Sequence, residues 1–196
     1  MANKVYNMAG GLHSAAAYSA FEDALYGSCV ASDSSFAVSA GTGMNVTIAQ
    51  GNGLISTGTG FARRIGSDAG NSVALTAAST ANPRIDAVVA YIDNSVTPTT
   101  DVVDNTNDIL KFKAVAGSPA ATPTAPSSSA IQSSVGAGNP YMILAYVNVA
   151  QSATAVGEIT DVRKIAGNIR LQLSTTDIGE GAALPEGTLY GVYEES

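Results

Sequence analysis

The segment IDAVVAYID at 85–93 limits the possible folds more than any other part of the chain. Its residues are apolar at nearly every position, and several are β-branched. A strand with one wet face alternates apolar and polar side chains, whereas a continuous apolar run of this length is typical of a strand covered on both faces. Pro83 lacks a backbone donor and suits the start of such a strand. We therefore expect 85–93 to form the central strand of a layered β-structure.

Short apolar runs separated by Gly, Asn, Pro, Ser and Thr clusters fill most of the remaining chain. This spacing is typical of an antiparallel sandwich. The segment SPAATPTAPSSS at 118–129 contains too many prolines for a strand or a helix, so it is predicted to be an extended crossing segment. The other predicted strands are a hairpin of 36–40 and 44–49, its continuation through GNGLIS and GFARRI, 72–77, 109–117, 140–150, NIRLQLS and TLYGVYE.

The segment PYMILAYVNVA at 140–150 is predicted to be a second central strand. Strict alternation along it would divide its apolar residues between the two faces of a sheet. One side would carry Ile143, Ala145, Val147 and Val149, and the other Met142, Leu144 and Tyr146.

One stretch, LHSAAAYSAFEDALYG, has a helical period. It predicts a helix at about 13–26 that ends at Gly27, with an apolar stripe on one side. Glu22 and Asp23 are expected to point away from this stripe. The positions of the stripe are Tyr18, Phe21 and Leu25, which lie at i, i+3 and i+7.

These elements predict a mainly β protein, an antiparallel β-sandwich of jelly-roll-like type with one short N-terminal helix. A chain of 196 residues fits one such domain. We divide it into an N-terminal arm and helix at 1–30, the β-sandwich at 31–165 and a C-terminal β-strand extension at 166–196. No repeat of 20 to 50 residues is visible, which argues against solenoids and propellers.

The charge and the apolar runs exclude several classes of partner. With a formal net charge of −7 and only nine Lys and Arg residues, the chain has no basic patch for nucleic acid. No run of about 18 apolar residues and no secretory leader are visible, so we expect no membrane partner and synthesis in a cytoplasm. The single cysteine, Cys29, excludes a disulfide framework and a multi-cysteine zinc site, and we expect it to be buried.

Residues for catalysis or for cofactor binding are not predicted. His13 and Ser14 are adjacent, but no GxSxG motif accompanies them, and a Cys29–His13 dyad lacks supporting residues at a recognisable spacing. The glycine groups at 41–43, 51–53 and 58–60 are flanked by strand-like segments, so they favour tight turns with positive φ over phosphate cradles. We therefore do not expect an enzyme.

The acidic run DVVDNTND at 101–108 offers oxygen ligands that calcium could use. Its spacing does not match the calcium loop that has Gly at position six and Glu at position twelve. A solvated connection is the favoured interpretation, and no metal site is predicted, although calcium binding by this loop stays open.

Four charged residues stand beside the predicted core strands. Arg84 and Asp86 lie at the mouth of the central strand, and Asp161 and Arg163 alternate in ITDVR. Ion pairs at such places usually fix register or an interface. We hypothesise that these structural ion pairs hold the entrances of two core strands together. The core itself is predicted to contain Ile85, Val88, Val89 and Ile92.

Four ordered segments resemble the N-terminal module of tailed-bacteriophage tail or baseplate structural proteins, known as upper-baseplate or receptor-binding-associated proteins. They are VSAGTGMNVTIAQGNGLI, ALTAASTANPRIDAVVAYID, LKFKAVAGSPAATPTAP and YMILAYVNVAQSATAVGEITDVR, and YSAFEDALYGSCVASDSSFAVSAG is similar to the opening of that family. The resemblance spans about residues 14–164. It implies a mostly β virion protein, a homo-oligomeric adaptor in a trimer or a ring that docks on the particle and positions receptor-binding parts.

Two alternatives stay open. The family often continues into long C-terminal fibre or head domains, whereas about thirty residues follow ITDVRK here, which favours a small adaptor, a tail decoration or a capsid-bound head-fibre base. The other alternative is a glycan-binding module on the host surface that uses tyrosines, most of them expected to be buried, and the loops 94–108 or 176–187. The expected partners are copies of the chain and other virion proteins, and the expected location is the virion.

Overall fold

A computed structural model describes residues 15–96, 109–167, 170–174 and 188–192. Within these ranges the chain is mainly β, as predicted, with twelve strands and two helices. In chain order the elements are α1 Ala15–Tyr26, β1 Cys29–Val30, β2 Val38–Ala40, β3 Asn45–Ile48, β4 Gly51–Ser56, β5 Ala62–Ser67, β6 Asn71–Ala74, β7 Arg84–Ile92, β8 Leu110–Val115, α2 Ser128–Val135, β9 Tyr141–Val149, β10 Ile159–Asp161, β11 Arg170–Ser174 and β12 Thr188–Val192.

Three antiparallel sheets form a sandwich-like body. The main sheet has the order β10-β9-β7-β8, and two three-stranded sheets have the orders β2-β3-β6 and β1-β4-β5. A large core lies between one face of the main sheet and the two smaller sheets. A smaller core lies on the other face, under α2. The strands β11 and β12 form a separate parallel pair.

Strand β7 is the central strand that the sequence predicts. It pairs with β9 on one side and with β8 on the other. Val88 and Ile92 contribute to the large core and Val89 to the small one, which explains why the segment is apolar at successive positions. Ile85, also predicted to be in the core, is only half-buried.

Strand β9 is central as well, but its predicted alternation is wrong. Val88 pairs with Ala145 and Val89 with Ile143, so Leu144 is an extra residue in a β-bulge. A bulge puts two residues of one strand opposite one residue of its partner, which shifts the alternation by one position. The large core therefore receives Met142 and the bulge residue Leu144, and then Val147 and Val149 after the bulge, whereas Ile143 and Tyr146 face the small core.

The hairpin of β2 and β3 is confirmed, and β4 and β5 also pair as predicted. They do not continue one meander, because β3 pairs next with β6 while β4 belongs to a different sheet. Strand β1 pairs with β4, and Val30 bridges to Ile165. The predicted boundary between the N-terminal arm and the β-sandwich, after residue 30, therefore lies at the end of β1, which is itself a strand of the sandwich.

The sequence predicts a tight turn for the glycine group at 51–53, but this group is part of β4. Gly53 is required there by a close approach, since a Cβ atom on it would lie 2.6 Å from the carbonyl oxygen of Cys29. Gly43, Gly58 and Gly60 do have the positive φ that a tight turn needs.

Helix α2 was not predicted. It follows the proline segment, which has neither strand nor helix up to Pro126. Ser127 is the N-cap, and its hydroxyl accepts a hydrogen bond from the backbone N–H of Ala130 at 3.2 Å. Ile131 and Val135, one helical turn apart, are buried in the small core.

Helix α1 is confirmed over its described part and ends before Gly27, which has φ +59°. Residues 13 and 14 lie outside the described residues. The apolar side of the helix that Phe21 and Leu25 mark is turned away from the body, which the helical period alone does not decide.

Candidate functional site

Arg84 and Asp86 form a buried ion pair at the start of β7. Both side chains lie on the same face of the strand because they are two residues apart. Arg84 Nε donates to Asp86 Oδ1 at 2.8 Å and Arg84 Nη2 donates to Asp86 Oδ2 at 3.1 Å. Their side chains are only 4% and 1% exposed. Paired contacts of this kind are among the stronger hydrogen bonds in proteins.

The pair also binds two other segments of the backbone. Arg84 donates to the carbonyl oxygens of Thr76 at 2.6 Å and Ala77 at 2.8 Å, just after β6. Asp86 Oδ1 accepts the backbone N–H of Gly117 at 3.0 Å, just after β8. The charges are therefore satisfied by protein groups, so the arrangement acts as a structural clamp that joins three segments.

Gly117 can approach Asp86 only because it has no side chain. A Cβ atom at this position would lie 2.1 Å from the carbonyl oxygen of Ile85, which is closer than any real contact. The clamp thus depends on one glycine outside the strands as well as on the two charged residues.

Asp161 and Arg163 form a second pair at the end of β10. Arg163 Nε donates to Asp161 Oδ1 at 2.9 Å, and Arg163 Nη1 donates to the carbonyl oxygen of Ser35. The hydrogen bond from Arg163 lowers the pKa of the Asp161 carboxyl below its ordinary value. This pair ties β10 to the loop that precedes β2.

The sequence hypothesis placed these four residues together, whereas the structure has two separate pairs. In the described part of the chain, no hydrogen bond or ion pair joins Arg84 or Asp86 to Asp161 or Arg163. The first pair lies on a central strand, but the second lies on an edge strand, β10.

Cys29 is buried, as predicted. Burial raises the pKa of its thiol, which keeps the sulfur in the protonated, weakly nucleophilic form. His13, Ser14 and the acidic loop at 101–108 lie outside the described residues. Over the ranges that the structure describes, no cluster of three or more His, Cys, Asp or Glu side chains is placed to hold a metal ion.

The side of α1 that contacts the body is polar. Ser19 donates its hydroxyl to the carbonyl oxygen of Ala62, and Glu22 forms an ion pair with Arg64. One carboxylate oxygen of Asp23 is buried and has no partner among the described residues. The prediction that Glu22 and Asp23 point away from the apolar stripe holds, but it is the acidic side that docks.

The opposite side of α1 is exposed and apolar. Phe21 is 60% exposed and Leu25 is 54% exposed, and Ala24 between them is exposed as well. We call these three residues the α1 apolar face. Tyr26 at the end of the helix and Phe61 before β5 are also exposed, but they lie toward the docked side, where Phe61 is near Ser19 and Tyr26 is near Glu22. Contiguous apolar surface is one of the features by which interaction sites in proteins are recognised.

An open cleft of about 760 Å³ lies beside α1, between the β4–β5 turn and the loop after β7. Arg63 Nη1 donates there to Asn94 Oδ1 at 3.2 Å. Asn94 is itself held in place, because its side-chain Nδ2 donates to the carbonyl oxygen of Gly138 at 2.8 Å. Hydroxyl and aromatic groups from Thr57, Thr59 and Phe61 complete the lining.

The tyrosines whose burial the structure describes are less buried than predicted. Tyr91, Tyr141 and Tyr146 are half-buried and pack against the small core, and Tyr26 is exposed. Tyr91 and Tyr141 are direct neighbours across β7 and β9. None of these four tyrosines lines the cleft beside α1.

Comparison of the chain with known protein families, with curated proteins and with solved structures gives no match in any of the three. Neither helix within the described ranges has the length and apolarity needed to cross a membrane.

Proposed function

We propose that this chain is a virion structural protein, an oligomeric adaptor of a phage tail or baseplate that docks on the particle and positions receptor-binding parts. The observation that carries the proposal is the α1 apolar face. A side chain such as Phe21 is costly to leave in water, and a partner that covers it would remove that cost.

The character of the body supports an assembly role. Only 13% of the residues are charged, so much of the surface consists of small polar and apolar groups. Interfaces between proteins are depleted in charge at their centres and rely on packing and hydrogen bonds. A body with a buried clamp such as Arg84–Asp86 is also preorganised, which lowers the cost of ordering when subunits join.

The four segments that resemble phage tail and baseplate proteins lie on successive parts of this body. The first covers β2 to β4, the second runs from the end of β6 into β7, the third includes β8, and the fourth covers β9 and β10. These segments include strands of all three antiparallel sheets, which supports the proposal.

The mass of the purified protein in solution and its place on the particle test the proposal. We expect light scattering to give a multiple of the 19.7 kDa chain mass. Negative-stain imaging of particles that carry a labelled copy should place the label at the tail. A label on the head would favour the capsid-bound fibre or decoration protein, and a single-chain mass with no label on the particle would contradict both.

The cleft beside α1 favours a second candidate, a glycan-binding module. Arg63, Asn94 and Phe61 offer a cation, an amide and an aromatic ring, the groups with which proteins contact acidic and neutral sugars. A glycan array followed by titration tests this function. Binding that Arg63→Ala removes and Lys111→Ala retains would support it, and an array without signal would reject it.

A further inference from the structure

We propose that the α1 apolar face binds the same face of a second copy of this chain, helix against helix. The inference rests on the proposed oligomeric function, because it names the surface through which that oligomer forms.

Three contacts along α1 fix which side of the helix faces the body. Ser19 bonds to Ala62 in its first half, and Glu22 pairs with Arg64 in the middle. At the C-terminal end, Lys164 Nζ donates to the carbonyl oxygen of Tyr26 at 3.3 Å. Turning Phe21 and Leu25 toward the body would break these contacts, so the described part of the body does not cover them.

The charge distribution favours a second copy as that molecule. With a net charge of −7, two copies repel each other over most of their surface. The α1 apolar face is free of charged side chains, because both acidic residues of the helix are on the docked side. Arg64 also neutralises Glu22. Two such faces can meet without bringing like charges together.

The spacing of the face suits helix pairing. Positions 21 and 25 continue the i, i+3, i+7 series that begins at position 18, which is the spacing of the seam in a coiled coil. Ala24 lies between Phe21 and Leu25, and so small a side chain lets a facing helix come close. A face with this pattern is complementary to itself, as a symmetric contact requires.

The area is of the right size for part of a stable interface. From the exposed fractions of Phe21 and Leu25, each copy offers roughly 230 Å² of apolar surface, taking about 200 Å² for each large side chain. A standard interface buries about 800 Å² per partner, of which a little over half is apolar. These two side chains would supply about half of that apolar share.

The test is the solution mass of the double variant Phe21→Ser, Leu25→Ser against the control Val162→Ser, which changes an exposed apolar residue outside α1. We expect the double variant to fall to the single-chain mass and the control to keep the parent mass. Because both altered side chains are exposed, thermal unfolding of the single chain should remain cooperative.

Each other outcome has a distinct meaning. If the double variant keeps the parent's multiple mass, this inference is overturned while the proposed oligomer stands. If it keeps that mass but no longer joins the particle, the face binds another virion protein, and the inference is again overturned. A single-chain mass of the parent protein at all concentrations overturns both the inference and the oligomer.

Cross-linking provides a second readout that does not depend on losing the contact. Ala24→Cys places a thiol at the centre of the face, and mild oxidation should link two copies through it. Ser34→Cys, an exposed position away from α1, is the matched control and should link far less. Equal linking of the two variants would overturn the inference.

Discussion

Arg84 and Asp86 are joined by two hydrogen bonds at the mouth of β7 and are almost completely removed from solvent. A charge pair in such a place does not stabilise a fold merely because it is a pair, since desolvation offsets much of the attraction. Its importance lies in what happens when one partner is lost, because the other is then left buried and unpaired.

We therefore expect Arg84→Ala to lower the free energy of unfolding by about 3–5 kcal/mol. The variant would leave the Asp86 carboxylate buried and also free the carbonyl oxygens of Thr76 and Ala77. Urea unfolding measures the change, with Arg63→Ala as an exposed control expected to stay within about 0.5 kcal/mol. A loss below 1 kcal/mol for Arg84→Ala would mean that the clamp is not needed.

Gly117→Ala should lower the free energy of unfolding by about 1–3 kcal/mol, because overpacking forces the backbone apart. Its new Cβ atom would clash with the carbonyl oxygen of Ile85 and weaken the bond to Asp86. Gly70→Ala is the matched control, since a Cβ atom there lies 3.5 Å from its nearest neighbour. Equal unfolding curves for the two variants would contradict this assignment.

The Asp161–Arg163 pair at β10 should make the free energy of unfolding depend on pH in the acidic range. Arg163 lowers the pKa of Asp161 in the folded protein below 3.8, its ordinary value. The stabilisation by the pair is therefore complete above pH 3.8 and is lost as the pH falls through the lower pKa of the folded protein. Unfolding free energies of the parent and of Asp161→Asn should therefore differ at pH 6 and converge toward pH 2. Because Asp161 is more than half exposed, we expect a difference of only about 0.5 kcal/mol. A constant difference over this range would rule out the linkage.

The Cys29 thiol should resist a thiol reagent in the folded protein and react in urea. Burial keeps it protonated, and the reagent needs the exposed thiolate. Ala24→Cys provides an exposed thiol in the same fold as a control, under conditions in which the protein is a single chain. Rapid labelling of native Cys29 would show that the site opens.

The raised pKa of the Cys29 thiol also affects stability at high pH. The free energy of unfolding falls as the pH rises above 9.0, since the thiol of the unfolded chain ionises first.

Ser127→Ala should destabilise α2 by about 1 kcal/mol, since the N-cap hydroxyl satisfies an otherwise free N–H group. Ser133→Ala, on the exposed side of the same helix, is the control and should have no comparable effect. Chemical unfolding of both variants distinguishes a cap from a solvated serine. If Ser133→Ala costs as much as Ser127→Ala, the cap has no special role.

The strands could be predicted where burial is written directly into the residue pattern. Segment β7 is apolar at successive positions because it faces two cores. Helix α1 could be found from periodicity instead, since three apolar positions follow one side of a helix.

What could not be predicted depends on contacts between distant segments. Periodicity locates the apolar side of α1 but does not say whether that side meets the chain's own body or another molecule. The docking of Glu22 to Arg64 joins residues 42 positions apart and has no local signal. The bulge at Leu144 likewise arises from the register of β9 against β7.

Helix α2 did leave a local signal that was outweighed by the prolines before it. Ser127 is a good N-cap, and Ile131 and Val135 repeat at the spacing of one turn. For the candidate site, the charges of Arg84 and Asp86 could be interpreted from the sequence. The role of Gly117 as a partner of Asp86 could not, because glycine occurs in loops for many different structural reasons.

The position of Gly117 has a consequence for how the chain is made. Arg84 and Asp86 leave the ribosome before Gly117, the backbone donor to Asp86, which lies 31 residues beyond Asp86. Until β8 has been synthesised and has closed against β7, Asp86 cannot be enclosed without losing a hydrogen bond. A nascent chain that stops short of this point therefore keeps its two charges hydrated and its central strand open, so completion of the sandwich waits for the second half of the protein.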